Sequence, residues 1–234
     1  MRFAIIAAGE GSRLAAEGLN IPKPLVRIAG EELILRLCRI FHAAKADEIA
    51  VIVNQLHPES ERFVRTLMEQ HPEYRIRLVV KTTPGSMISF SHLAPLLKDA
   101  PFCLTTVDTV FRETDFFKYI EAFQADPSQA LMAVTDFIDD ERPLYVGTDV
   151  QMNVTGFFDE PVSCKYISGG IYCLHPSMLS SLETCLREKR LRMREFQRQL
   201  IADGFRVKAF PFEKILDIDH VSDIQKAESF LRSE

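Results

Sequence analysis

The chain has 234 residues, 47% of them hydrophobic, and a net charge of −5. That length fits one large α/β domain with a real core. The acidic balance argues against an extended nucleic-acid surface, and no apolar run of about eighteen residues marks a membrane span. The five cysteines show no CxxC and no metal spacing. The N-terminal apolar run meets Glu10 and Arg13 too soon for a secretion signal. A reducing cytoplasm is the expected compartment.

Phe3 to Ala8 is a short uncharged run and reads as a buried central strand. Gly9 and Gly11 follow, spaced by one residue. Glycine tolerates positive φ and admits close backbone approach, and successive N–H groups in such a turn form an anion-binding concavity. Arg13 adds a planar cation suited to phosphate oxygens. Lys23 stands between Pro22 and Pro24, which restrict the backbone on both sides. The dinucleotide fingerprint fails here, because Leu14 holds the place of its third glycine. The P-loop fails too, for want of a Gly-Lys-Ser/Thr triplet.

Glu31 to Lys45 has helical spacing through Leu33, Ile34, Leu37, Ile40 and Phe41. Ile49 to Val53 is a strand, Pro58 to Gln70 a helix with proline in its first turn, and Ile76 to Val80 a strand. This βαβαβ order implies a parallel sheet wound by helices. Thr82 to Ser86 is a polar loop before a helix over Met87 to Leu97, with Ser86 a possible N-cap. Phe102 to Val107 is β-prone and ends on Asp108. Open α/β sheets bind ligands beyond the carboxyl ends of their strands, so Asp108 reads equally as a metal ligand or as a turn cap.

A helix over Asp115 to Phe123 and a strand over Ala130 to Thr135 follow. Asp136 to Arg142 is acidic and loop-like. Tyr145-Val146, Gln151 to Phe158 and Lys165 to Leu174 read as antiparallel strands, the last interrupted by Gly169-Gly170. Two helices, over Pro176 to Arg187 and Leu191 to Asp203, carry an Arg/Lys cluster that reads as a solvated face. Arg206 to Phe210 is a strand. Ile215-Leu216 reads as a short apolar strand that leads into Asp217 and Asp219, then a helix over Val221 to Leu231. In a strand, Asp217 and Asp219 share a face.

The G-x-G-x-R stretch followed by P-K-P-L resembles the signature of the sugar-phosphate nucleotidyltransferases, the nucleoside-diphosphate-sugar pyrophosphorylase-like enzymes. The resemblance runs from Phe3 to about Glu228. It implies a single-domain Rossmann-like three-layer α/β/α fold with a mixed, mostly parallel sheet. Residues 1–234 would form one nucleotidyltransferase domain, the catalytic domain alone. Its part over about 1–135 would bind nucleotide and its part over about 136–215 the acceptor. Ala8, Gly9, Gly11, Ser12, Arg13 and Lys23 would hold the triphosphate, with Arg13 and Lys23 catalytic. Pro84, Gly85 and Ser86 would lie at the base. They match the family's Gly-Thr-Ala-Gly loop only loosely, which leaves the base open.

The family's Gly-Gly-Ile-Tyr segment is matched by Gly169 to Tyr172, placing Gly169, Gly170 and Asp108 at the acceptor. The Glu-Lys pair expected before it is missing, with Lys165 the nearest substitute. The family's closing Asp-rich segment implies that Asp108 and Asp217, with Asp219 as the second choice, hold Mg²⁺. The expected reaction is Mg²⁺-dependent transfer from a nucleoside triphosphate to a sugar 1-phosphate with release of pyrophosphate. Phosphocholine or another small phosphate, taken by a cytidylyltransferase, is the second reading, and a non-catalytic nucleotide-sensing module the third. The expected partners are thus a nucleotide and a small phosphorylated acceptor, with neither nucleic acid nor membrane. Oligomeric state is not legible.

Overall fold

The computed structural model describes residues 1–139, 141–161 and 163–232. In chain order the elements are β1 (Arg2–Ala7), α1 (Ser12–Ala16), β2 (Arg27–Ile28), β3 (Glu31–Glu32), α2 (Leu33–Ala43), β4 (Glu48–Val53), α3 (Pro58–Gln70), β5 (Ile76–Val80), α4 (Ser86–Leu93), β6 (Phe102–Thr106), β7 (Thr109–Val110) and α5 (Glu113–Ala125). Then come β8 (Ala130–Thr135), β9 (Tyr145–Thr148), β10 (Val154–Phe158), β11 (Tyr166–Leu174), α6 (Leu179–Arg187), α7 (Met193–Ala202), β12 (Val207–Pro211), β13 (Leu216–Asp217) and α8 (Val221–Arg232).

Nine strands form one mixed sheet in the order β10-β9-β11-β6-β1-β4-β5, with β8 beside β11 and β12 beside β8. The uncharged β1 lies inside it, parallel to β4 on one side and β6 on the other, and β5 extends the parallel block. Alternation along β1 splits the interior in two. Phe3, Ile5 and Ala7 join the core under α2, α3, α5 and α8, while Ala4, Ile6 and Ala8 join the core under α4, α6 and α7. Sheet between two helix layers is the α/β/α arrangement that the βαβαβ pattern predicts. A run of aromatic rings locks the first layer. Phe3 meets Phe41 at 4.7 Å, Phe41 meets Phe116 at 5.5 Å and Phe116 meets Phe111 at 4.9 Å between centroids. Each such pair adds about 0.5–1.5 kcal/mol beyond area burial.

Three local departures have physical causes. Glu31 and Glu32 do not open α2. They pair back on Arg27 and Ile28 as a hairpin through Ala29 and Gly30, both at positive φ, and Arg27 is hydrogen-bonded to Glu32 at 2.8 and 2.6 Å. Ser86 lies inside α4, and Gly85 is the capping residue without a side-chain cap. In β11 the register shifts between Ser168 and Tyr172, across Gly169-Gly170, with Gly170 at φ +72°. The glycine pair is therefore a bulge that lets one long strand serve β6, β8 and β9. Asp140, within the acidic stretch 136–142, lies outside the described residues. Among the described residues no helix is long and apolar enough to cross a membrane.

Candidate functional site

β1 delivers the chain to Gly9 at the carboxyl edge of the parallel block. Gly11, at φ +64°, turns it into α1. A cavity of about 440 Å³ opens there. It is lined by Ala8 to Gly11, Lys23, Thr83 to Ser86, Ser89 and Thr106 to Asp108. Asn54 joins two of these segments. Its side chain is buried, donating to the Ala8 carbonyl at 3.1 Å and accepting from Thr82 Oγ1 at 2.8 Å and Leu56 N at 3.0 Å. The sequence reading missed Asn54. Its signal was a polar residue directly after the apolar strand Ile49 to Val53, at the edge where ligands bind.

Gly85 faces the α6–α7 connection, where a Cβ would stand 2.6 Å from the Leu191 carbonyl oxygen. That carbonyl accepts from Met87 N at 3.1 Å. Only a residue without a side chain fits this approach. The Thr83 and Ser89 hydroxyls pair at 2.6 Å beneath the loop.

Lys23 opens a short 3₁₀ turn between its two prolines. Its side chain is 12% exposed. Nζ donates to Asp108 Oδ2 and to Asp219 Oδ1, each at 2.8 Å. The other oxygen of Asp219 accepts from Arg13 Nη1. Burial alone would lower the Lys23 pKa, but the fields and hydrogen bonds of Asp108 and Asp219 outweigh it and hold the ammonium charged far above neutrality. Burial would raise the Asp219 carboxyl, and Lys23 and Arg13 reverse that to a lowered value.

These two carboxylates are far apart in sequence and meet through pairings the sequence did not announce. β7 runs antiparallel to β13, setting Asp217 opposite Thr109, and Ile218 N donates to the Asp108 carbonyl at 3.1 Å. The Asp223 carboxylate then accepts from Asp219 N at 3.1 Å and His220 N at 2.8 Å, fixing the backbone that carries Asp219 at the start of α8. Glu17 completes the joint. It is hydrogen-bonded to the His220 ring and accepts from Val221 N at 2.8 Å.

A second cavity, of about 230 Å³, lies on the α8 side. Arg13, Thr135, Phe137, Ile167 to Gly169, Ile215 to Asp217, Asp219, His220 and Lys226 are among its lining residues. A smaller one of about 190 Å³ sits between the two, walled by Gly11, Ser12, Arg13, Lys23 and Asp219. The expected site residues thus divide. Ala8, Gly9, Gly11, Lys23, Pro84, Gly85, Ser86 and Asp108 line the first cavity, Ser12 the middle one, and Arg13 the middle and second. Gly169 and Asp217 line the second cavity, and it is Asp219 that shares Lys23 with Asp108. Gly170 is not in any of these walls. It shapes the bulge, its carbonyl accepting from Thr105 Oγ1 at 3.1 Å. Lys165 is 67% exposed, 3.7 Å from Asp136 and outside all three linings.

The model of the MobA-like NTP transferase domain matches residues 3–203. The chain belongs to this family. The match begins on β1 and ends after α7, so it takes in the glycine loop, Lys23 and Asp108 and stops short of Asp219. This MobA-like domain is 28% identical over 222 residues to mannose-1-phosphate guanylyltransferase 1 of Arabidopsis thaliana, covering 90% of this chain and 59% of that protein. The chain spans about half the length of the curated relatives it matches first. Its fold is that of the inositol-1-phosphate CTP transferase of T. maritima, with TM-score 0.80, 20% identity, and 99% and 98% of the two chains covered. It is also that of a protein assigned as a glucose-1-phosphate thymidylyltransferase from Bacillus anthracis, with TM-score 0.86, 18% identity, and 100% and 96% covered.

Proposed function

We propose that this domain joins a nucleoside triphosphate to a sugar 1-phosphate and releases pyrophosphate. The observation that carries the reading is Lys23 Nζ standing 2.8 Å from both Asp108 and Asp219 where the first and middle cavities meet. The Gly9–Gly11 backbone and Arg13 hold the β- and γ-phosphates. Lys23 stabilises the negative charge that builds on the α-phosphate. An oxygen of the acceptor's phosphate, its sugar in the second cavity, attacks the α-phosphorus in line, and the bond to the β-phosphate oxygen breaks. The mannose-1-phosphate guanylyltransferase relatives support a sugar 1-phosphate as acceptor.

The residues present fit Mg²⁺. Asp108 and Asp219 offer carboxylate oxygens around one point, and Mg²⁺ is commonly held by one or two carboxylates plus substrate phosphates. Among the described residues no group of three or more His, Cys, Asp or Glu is placed to hold a metal ion; Asp108 and Asp219 would supply two carboxylate ligands, with water or substrate oxygens filling the rest. When bound there, Mg²⁺ would neutralise charge on the triphosphate.

One observation favours a second acceptor, phosphocholine or a similar small phosphate taken by a cytidylyltransferase. The second cavity is small, and Asp139, Glu141, Asp217 and Asp223 wall it. Its Lys226 is already committed to Asp139 at 2.7 Å and Asp223 at 3.2 Å. Such a lining suits an acceptor with a cationic group. Pyrophosphate release with CTP, UTP, GTP, ATP and dTTP against sugar 1-phosphates and phosphocholine, with and without Mg²⁺, decides between them. Mg²⁺-dependent release that needs one acceptor names both substrates. Silence across the panel, with a nucleotide still raising the melting temperature, turns the reading to a nucleotide-sensing module.

A further inference from the structure

We propose that Lys23 is a built-in counter-cation that keeps a divalent metal out of the Asp108–Asp219 site until a nucleoside triphosphate draws its ammonium away. This rests on the reading above that the two carboxylates take a cation.

The geometry is specific. Nζ sits at 2.8 Å from one oxygen of each aspartate, the position a shared cation would use. The side chain is 12% exposed and rooted in a proline-flanked turn, so the ammonium is held there rather than sampling solvent. The free oxygen of Asp219 is taken by Arg13. A dication and an ammonium cannot share this point, because like charges repel strongly once water is excluded. Metal binding to the free chain must therefore expel Lys23 and also strip water from an ion that dehydrates reluctantly.

What makes the exchange feasible is that Lys23 lines the first and the middle cavities, where phosphates are proposed to lie. With a triphosphate present, the ammonium trades two carboxylates for phosphate oxygens, and the carboxylates trade an ammonium for a metal. Each charge keeps an opposite partner throughout. Without the nucleotide, Lys23 leaves without a partner. Metal and nucleotide consequently bind with positive coupling, each raising the affinity for the other by the same factor.

The test uses Mn²⁺ as the probe, the full chain, and no nucleotide, with bound metal read from the loss of the free-ion electron paramagnetic resonance signal. Wild type should take up little Mn²⁺. Lys23→Gln should bind one Mn²⁺ per chain, tighter by roughly tenfold or more, the scale on which groups around a metal site move its affinity. Lys23→Arg, which keeps the charge, should behave as wild type. Adding Asp219→Asn to Lys23→Gln should remove the gain. Lys23→Met replaces Lys23→Gln if circular dichroism shows the latter unfolded.

Equal uptake by wild type and Lys23→Gln, or no uptake by either neutral variant, overturns the proposal. Pyrophosphate release by the wild type is scored separately. Release together with free Mn²⁺ binding by wild type sinks the counter-cation and leaves nucleotidyl transfer standing. A gain of Mn²⁺ in Lys23→Gln without release by wild type for any substrate pair does the reverse.

Discussion

The first cavity reaches Lys23 and the second reaches Arg13 and Asp219, and the two are walled by different means. The first is lined mainly by small residues that follow the carboxyl ends of β1, β5 and β6, three strands of one parallel block. The second is built from side chains of β8, β11, β13 and the start of α8, brought together by antiparallel pairing and by the Gly169-Gly170 bulge. A wall of small residues lets backbone N–H groups approach phosphate oxygens, which all triphosphates share. A side-chain wall can be retuned residue by residue, so on the proposed reading acceptor identity would be set in the second cavity. Lys23, Arg13 and Asp219 are the seam between them.

Removing the seam should have the largest effect. Lys23→Ala should lower turnover about a hundredfold or more, since a preorganised charge of this kind supplies a few kcal/mol. Pyrophosphate release with the fold checked by circular dichroism measures it, and a near-normal rate would dismiss the assignment. Next, Asp219→Asn should cost a comparable factor, about a hundredfold, and abolish the response to Mg²⁺. Asp217→Asn should instead raise the KM for the acceptor and leave the metal response in place. The opposite pattern, read from Mg²⁺ titrations of the rate, would move the metal to Asp217.

Two glycine substitutions separate the cavities. Gly85→Ala drives a Cβ to 2.6 Å from the fixed Leu191 carbonyl, so the loop must shift and the nucleotide KM should rise. Gly169→Ala meets Ile215 Cδ1 at 2.2 Å, the movable end of a side chain, with the nearest backbone atom, the Ala133 carbonyl oxygen, farther off at 3.2 Å, and should raise the acceptor KM by less. Overpacking of this sort costs about 1–3 kcal/mol. Steady-state kinetics with each substrate varied would refute the division if both variants shifted the same KM.

The smallest effect concerns pH. Hydrogen bonding to Glu17 raises the His220 pKa, and the same contact lowers that of Glu17. A raised His contributes stability that is complete below its unfolded value of about 6.5 and lost as pH rises through the folded value. The lowered Glu17 contributes above its unfolded value of about 4.3 and loses it as pH falls through the folded one. The tie between α1 and α8 should thus be strongest between those two unfolded values, at about pH 5.5. The denaturation midpoint of wild type minus that of His220→Gln should peak there and shrink toward about pH 8.5. A difference that stays flat across that range would show that the ion pair contributes nothing.

How much was legible divides along the same line. Helices α2, α3 and α5 and strands β1, β4, β5 and β6 follow from apolar periodicity, which is local. Even β9 to β11 could be read as antiparallel strands, from alternation and glycines. The two-residue strands β2, β3 and β7 could not be read, whereas β13 falls on the short apolar run Ile215-Leu216 that reads as a strand. Two residues carry no period, and their existence depends on partners elsewhere in the chain.

By itself the sequence determined the glycine turn, the proline-held Lys23, the parallel block and the carboxylates at strand ends, because each is set by backbone conformation or by spacing within a few residues. Tertiary structure alone decided that Asp219 shares Lys23 with Asp108, that Asn54 stitches two loops, that Leu191 shapes the loop at Gly85, and that Lys165 stands apart. Asp217 and Asp219 alternate along one segment, and nothing in spacing chooses between them. That Asp219 is the one to meet Lys23 comes from β7 pairing with β13 and from Asp223 capping the turn, contacts between segments that only the folded chain brings within reach.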